Sequence, residues 1–220
     1  MFELEKPLLK NNFRRKLGKE YYILKRKVDN LFSKEKFSKQ LSENSEINQS
    51  VFKHSSMILR PLKDVEMYLQ YNKKKNLELA IKKLNNTIIY PNETFSLWNL
   101  VGKPTAKKGY LEGLILNQGK IDKGIGGGLC QLGNLLFWIF AHSPLLITER
   151  HRHSFDVFPD VNRKVPFGAG ATLSYNYIDF RVKNNTENTF KIKLWIENDY
   201  LFGQLFSLEK LNSTYKIEEK

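Results

Sequence analysis

Apolar residues recur at helical spacing at Tyr21, Leu24, Val28, Leu31 and Phe32, with Lys25, Arg26 and Lys27 set among them. That pattern predicts a basic amphipathic helix over residues 19–32. Such a helix suits either an anionic membrane surface or a seat on the rest of the fold. The stretch 33–50 is polar, rich in Ser, Asn, Gln and Lys, and lacks periodicity, so it reads as a linker. A second helix is expected from about Pro61 to Leu84, where Leu77, Ala80, Ile81 and Leu84 form a stripe that Asn85-Asn86 ends.

After Tyr90 the period changes. Short strand-like runs at 87–90, 114–116 and 145–148 alternate with turn signals at Pro91-Asn92 and Asn117-Gln118-Gly119. Further on, Phe190, Ile192, Leu194 and Ile196 alternate with Lys191, Lys193 and Trp195. Runs at 172–182 and 200–208 flank them, separated by Asn184-Asn185 and Asn198-Asp199, which predicts an antiparallel meander. The fold class is therefore α+β: N-terminal helices, a mixed or antiparallel sheet, a buried helix after a Gly-rich loop, and the meander. The expected division is a basic helical arm and linker over 1–49, a folded domain over 50–208, and a polar tail over 209–220.

Composition supports one core. The 220 residues are 41% hydrophobic and include 15 Phe, 10 Tyr and 3 Trp, enough aromatic surface to exclude a largely disordered chain. The net charge of +13 asks for an acidic partner, and residues 1–40 hold twelve Lys/Arg against five Asp/Glu. Nucleic acid is disfavoured, because no recognition-helix, zinc or aromatic-basic RNA signature accompanies the charge. Anionic lipid, reached through the arm, and an anionic wall polymer remain. A single cysteine excludes an internal disulfide, and with 4 His it cannot build a Cys-rich zinc site, so no metal or cofactor is expected. The apolar run 135–141 is too short to span a bilayer, and residues 1–10 lack the apolar stretch of a secretory signal. The expected location is the cytoplasm, peripheral at the membrane.

The most unusual segment is Gly124-Ile125-Gly126-Gly127-Gly128-Leu129-Cys130-Gln131, which runs into the apolar stretch Leu132 to His142. It predicts a loop that opens a buried helix and puts Cys130 in the first turn, where unpaired N–H groups favour an anion. A thiol there has reason to ionise and act as a nucleophile. Gly126, Gly127 and Gly128, with Gln131, would let backbone approach a substrate and leave N–H groups for an oxyanion. The alternative is that Cys130 is a small buried hydrophobe behind a tight turn.

A nucleophilic cysteine needs a base, and Glu149-Arg150-His151-Arg152-His153-Ser154 offers two histidines two residues apart. On a continuing strand His151 and His153 share a face. Asp156 and Asp179 are candidates to orient the base, and Asn134, one helical turn after Cys130, is an amide alternative. Arg150 and Arg152 could hold a substrate carboxylate, with Asn134 beside them.

These residues also carry a resemblance. Pro91-Asn92-Glu93-Thr94-Phe95-Ser96, Val101-Gly102, Gly109-Tyr110, the block from Gly126 to Gln131, Glu149-Arg150-His151-x-His153, Ala171-Thr172, Asp179 and Asn184-Asn185-Thr186 resemble the VanW family, in the same order, over about residues 50–205. The resemblance implies a role in peptidoglycan metabolism and vancomycin resistance. In some members it implies L,D-transpeptidation of stem peptides, with Cys130 as acyl-enzyme nucleophile and His151 or His153 as base. It equally allows a non-catalytic accessory module that binds a cell-wall precursor or a resistance enzyme.

Overall fold

The computed structural model describes residues 12–39, 41–60, 66–117, 120–152 and 170–217. In chain order the elements are α1 (Asn12–Phe32), β1 (Lys36–Phe37), β2 (Gln49–Met57), α2 (Met67–Leu84), β3 (Thr87–Ile89), β4 (Glu93–Ser96) and α3 (Leu97–Val101). After a 3-10 turn at Ala106–Lys108 come β5 (Glu112–Asn117), β6 (Lys120–Ile125), α4 (Cys130–Ala141), β7 (Leu146–Glu149), β8 (Arg181–Lys183), β9 (Phe190–Glu197) and β10 (Tyr200–Ser207). The strands form two four-stranded sheets, β1-β4-β8-β7 and β2-β10-β9-β3, and a β5-β6 hairpin. This is the α+β architecture that the hydrophobic pattern predicts.

The β9-β10 hairpin follows from the alternation of Ile192 and Leu194 with lysines. Asn198 and Asp199 both take positive φ, 47° and 60°, as a tight two-residue hairpin turn requires. The inward set, Ile192, Leu194, Leu201 and Leu205, is fully or almost fully buried beneath α2 and α4. Gly203 lies between them, where a Cβ would come within 2.5 Å of Ile139 and 3.1 Å of Leu135. Its missing side chain is what lets α4 settle onto the sheet.

Two expectations need correction. The run 172–182 is not a strand of the meander: Tyr175, Asn176 and Tyr177 turn back, with Asn176 at φ 48°, and only Arg181–Lys183 is extended, in the other sheet. The expected place beside β9 is taken instead by β3, with Thr87 opposite Ile192, and β10 pairs on its other edge with β2, with Leu201 opposite Ser56 and Leu205 opposite Phe52. The polar stretch 33–50 is tied in by main chain: Lys36 and Phe37 pair in parallel with Glu93 and Thr94, and Ser38 N–H donates to Thr94 O at 3.0 Å. β2 begins inside that stretch, and Lys191 donates to Asn44 O. Polar side chains concealed it because its bonding is backbone bonding. The second helix is observed from Met67, and residues 61–65 lie outside the described part.

The N-terminal helix docks through one narrow face. Ile23 is buried, Arg26 donates to Glu149 and to Tyr177 O, Asn176 donates to Ile23 O at 3.0 Å, and Arg181 donates to Asn30 at 2.9 Å.

Candidate functional site

The glycine loop joins β6 to α4, and its donors are already committed. Gly126 N–H donates to Leu111 O at 2.9 Å, Gly127 N–H to Gly124 O at 3.0 Å, and Gly128 N–H to Leu114 O at 2.9 Å. Buried Asn76 reaches across from α2, donating to Gly127 O and Leu111 O and accepting from Leu111 N–H. The glycines are needed for packing: a Cβ on Gly127 would come within 2.1 Å of the Gly113 backbone, and Gly126 and Gly128 hold φ of 78° and 89°. The expectation of free glycine N–H groups waiting for an oxyanion is therefore corrected. Gly126 and Gly128 instead fasten the loop to Leu111 and to β5, and Gly127 closes a turn onto Gly124 of β6.

Cys130 opens α4 as expected, but its surroundings do not favour thiolate. Its sulfur lies 4.0 Å from Leu173 O, and the residue is partly buried. Burial pushes the thiol above its ordinary value, against hydrogen bonding from the backbone of Leu173 and of Cys130 itself. The N–H groups of Gln131, Leu132 and Gly133 donate to Gly128 O or Leu129 O, so the first turn is closed by tight main-chain bonds. One turn on, Asn134 accepts from Ala171 N–H at 2.7 Å, and Gly133 leaves room for Ala171 and Leu173 to press against the helix. Gln131 donates to Ser56 and to Met57 O, pinning α4 to β2. Asn134 and Gln131 thus hold the fold around the cysteine.

The other half of the site is the end of β7. Arg150 donates to Gly170 O at 2.9 Å, and His151 O accepts from Thr172 N–H at 2.7 Å. Residues 150–151 and 170–172 therefore run side by side, and Leu173, directly after the second segment, covers Cys130. The guanidinium of Arg150 lies 4.0 Å over the Phe137 ring of α4. Burial first, and then the like charge of Arg152, lower its pKa from the usual arginine value. Arg152 is exposed, and the His151 side chain is 54% exposed. His151 Nε2 lies 3.8 Å from Glu149 Oε1. His153 and Asp156 lie outside the described residues.

The carboxylate beside the histidine is Glu149, which sequence reasoning left without a role. It accepts from Arg26 and from Asp179 N–H, with Arg181 Nε at 3.4 Å. Burial alone would raise its carboxyl, but those hydrogen bonds and the two guanidinium charges together hold it below the ordinary value. The usable signal was spacing: Glu149 precedes His151 by two residues, a separation that puts both on one side of an extended chain. Nothing local could have announced Arg26, which is 123 positions away. Asp179, expected to orient the base, is instead buried under Ser96 Oγ, the N–H groups of Trp98 and Phe180, and Arg181 Nε. Burial pushes its carboxyl up despite these partners. It fastens β8 to α3. Among the described residues no three His, Cys, Asp or Glu side chains are grouped to hold a metal.

Comparison with known proteins bears directly on this arrangement. A family model described as VanW like protein matches residues 72–206. The chain belongs to the VanW family. A relative in Enterococcus faecalis, the vancomycin B-type resistance protein VanW, is 41% identical over 152 residues, covering 69% of this chain and 55% of its own length. The uncharacterized protein YoaR of Bacillus subtilis is 33% identical over 138 residues, 63% of this chain and 44% of its own. The chain thus spans about half the length of these relatives. No solved structure matches it. The VanW region runs from within α2 to within β10, so it contains the glycine loop, Cys130 and the Glu149 cluster. The helix α1 lies outside it and supplies Arg26.

Proposed function

We propose that this VanW-family chain acts in glycopeptide resistance by binding the peptide part of a cell-wall precursor where the start of α4 meets residues 150–152 and 170–173. Identity to the Enterococcus faecalis protein supports the resistance role. The observation that carries the binding reading is the state of Cys130: its thiol is shifted up by burial and lies against Leu173 O, while the glycine amides around it are occupied. Beside it, exposed Arg152 and the outward His151 offer cationic and hydrogen-bonding contacts to a peptide carboxylate. Titrating a synthetic stem pentapeptide by calorimetry tests this. Arg152→Ala is expected to weaken binding about ten-fold, the worth of one charge-assisted hydrogen bond, and Cys130→Ser to leave it unchanged. Absence of any heat with the wild-type chain would overturn the reading.

The second reading is a cysteine acyltransferase. It is favoured by the backbone hydrogen bonding that reaches the sulfur and by the two-residue span, Thr172 and Leu173, that separates Cys130 from the His151 main chain. The thiolate would attack a stem-peptide amide carbonyl, and the amine would leave with a proton from His151 or His153. The resulting thioester would pass to an acceptor amine or to water. Alkylation by iodoacetamide as a function of pH separates the two. Binding alone predicts slow labelling at neutral pH that climbs only beyond ~8.5. Fast labelling below pH 7, slowed by one histidine substitution, together with a thioester mass adduct on Cys130, would establish the enzyme.

A further inference from the structure

We infer that α1 is a docking helix for an anionic lipid surface, an inference that stands independently of the functional reading above. The helix meets the domain through Ile23, Arg26 and Asn30, spaced three and four residues apart. Its remaining large apolar side chains do not join the core. Phe13, Leu17, Tyr21, Leu24, Val28 and Leu31 are exposed by 71, 63, 60, 62, 45 and 78%. Advancing at roughly 100° per residue, they make one continuous stripe on the side of the helix away from the domain. Such a stripe along some 30 Å of helix is an unfavourable surface for water alone, since it gathers exposed apolar area on one side.

Charge identifies what covers it. The α1 sequence carries seven Lys/Arg against Glu20 and Asp29. Arg14 and Lys25 border the stripe on one side and Lys27 on the other, the arrangement of a helix lying in a headgroup layer with its apolar face sunk below. Exposed Tyr21 and Phe32 at one edge suit the same interface, while Tyr22 packs on Tyr177 of the domain. A second copy of the chain is a poorer occupant, because pairing two such stripes would bring the basic borders together with few acidic partners. No described helix is long and apolar enough to cross a membrane, so the contact is one of lying on the surface. Because the opposite face of α1 grips Glu149 through Arg26, docking would hold the end of β7 about one helix diameter, ~10 Å, above the lipid.

The test uses the full chain and sedimentation with vesicles of phosphatidylglycerol and phosphatidylcholine, or of phosphatidylcholine alone. The chain is expected to bind the mixed vesicles at low salt, to release as salt rises, and to bind neutral vesicles at least ten-fold less. Leu24→Asp with Val28→Asp should abolish binding, and Lys27→Glu should weaken it about five-fold, with near-UV circular dichroism unchanged in both. Binding by the folded double variant equal to wild type would overturn the inference. So would a concentration-dependent dimer in light scattering that the double variant dissolves, since the stripe would then belong to a second copy.

Discussion

The glycine loop and the end of β7 are equally conspicuous in the sequence, yet the fold uses them in opposite ways. In the loop every glycine N–H donates to a main-chain carbonyl, and the missing side chains accommodate Gly113, Pro104 and Lys73. At the end of β7, Glu149 draws in a helix from the far N-terminus, while His151 and Arg152 stay open to solvent. A motif rich in catalytic promise can be occupied wholly by packing, and a shorter one beside it can keep its valences. The difference lies in where hydrogen bonds end, which residue identity does not reveal.

The largest expected effect tests the loop. Gly127→Ala forces a Cβ to within 2.1 Å of the Gly113 backbone, so it should destabilise the chain by ~3 kcal/mol or more, the upper range for overpacking. A urea midpoint unchanged by this substitution would return the loop to the role of a substrate cradle. Next comes Glu149→Gln, which leaves Arg26 and Arg181 without their shared carboxylate. A loss of about 1–3 kcal/mol is expected, together with faster trypsin cleavage within α1.

Acid should act on the same contact. Glu149 is held below its ordinary pKa in the folded chain, so its contribution is fully present above the unfolded carboxylate value of ~4.3. It is lost as pH falls through the lower folded value. Stability measured against pH should therefore decline there in wild type and more shallowly in the Glu149→Gln variant. Equal profiles would mean that the cluster is incidental. The smallest effect is that of Arg152→Ala on stability, within ~0.5 kcal/mol because the side chain is exposed. A larger loss would move Arg152 from the open side of the comparison to the packed side.

Much of this fold was legible. Alternation at Ile192 and Leu194 and the Asn198-Asp199 turn announced the last hairpin, and the glycine loop followed by the apolar run 135–141 announced α4. What escaped was held by main chain or by distance. β1 consists of two residues whose pairing to Glu93 and Thr94 leaves no mark on side-chain pattern. β8 was hidden in the longer run 172–182 because a turn at Asn176, which donates to Ile23 O, interrupts it. For the site, the position of Cys130 at the head of α4 followed from glycine punctuation. Its ionisation did not, because burial by Leu173 depends on a segment 43 positions later.

Gly203 gives the cysteine a remote anchor. Ile139 and Leu135 rest in the space left by its absent side chain, so the height of α4 over β10 is set at the middle and C-terminal half of that helix, while Gln131 ties its N-terminal end to β2. Nine residues separate Ile139 from Cys130, roughly 14 Å along a rigid axis. The helix is therefore a lever with its fulcrum on the sheet. A side chain added at Gly203 would be read at the far tip, as a change in how closely Leu173 covers the sulfur.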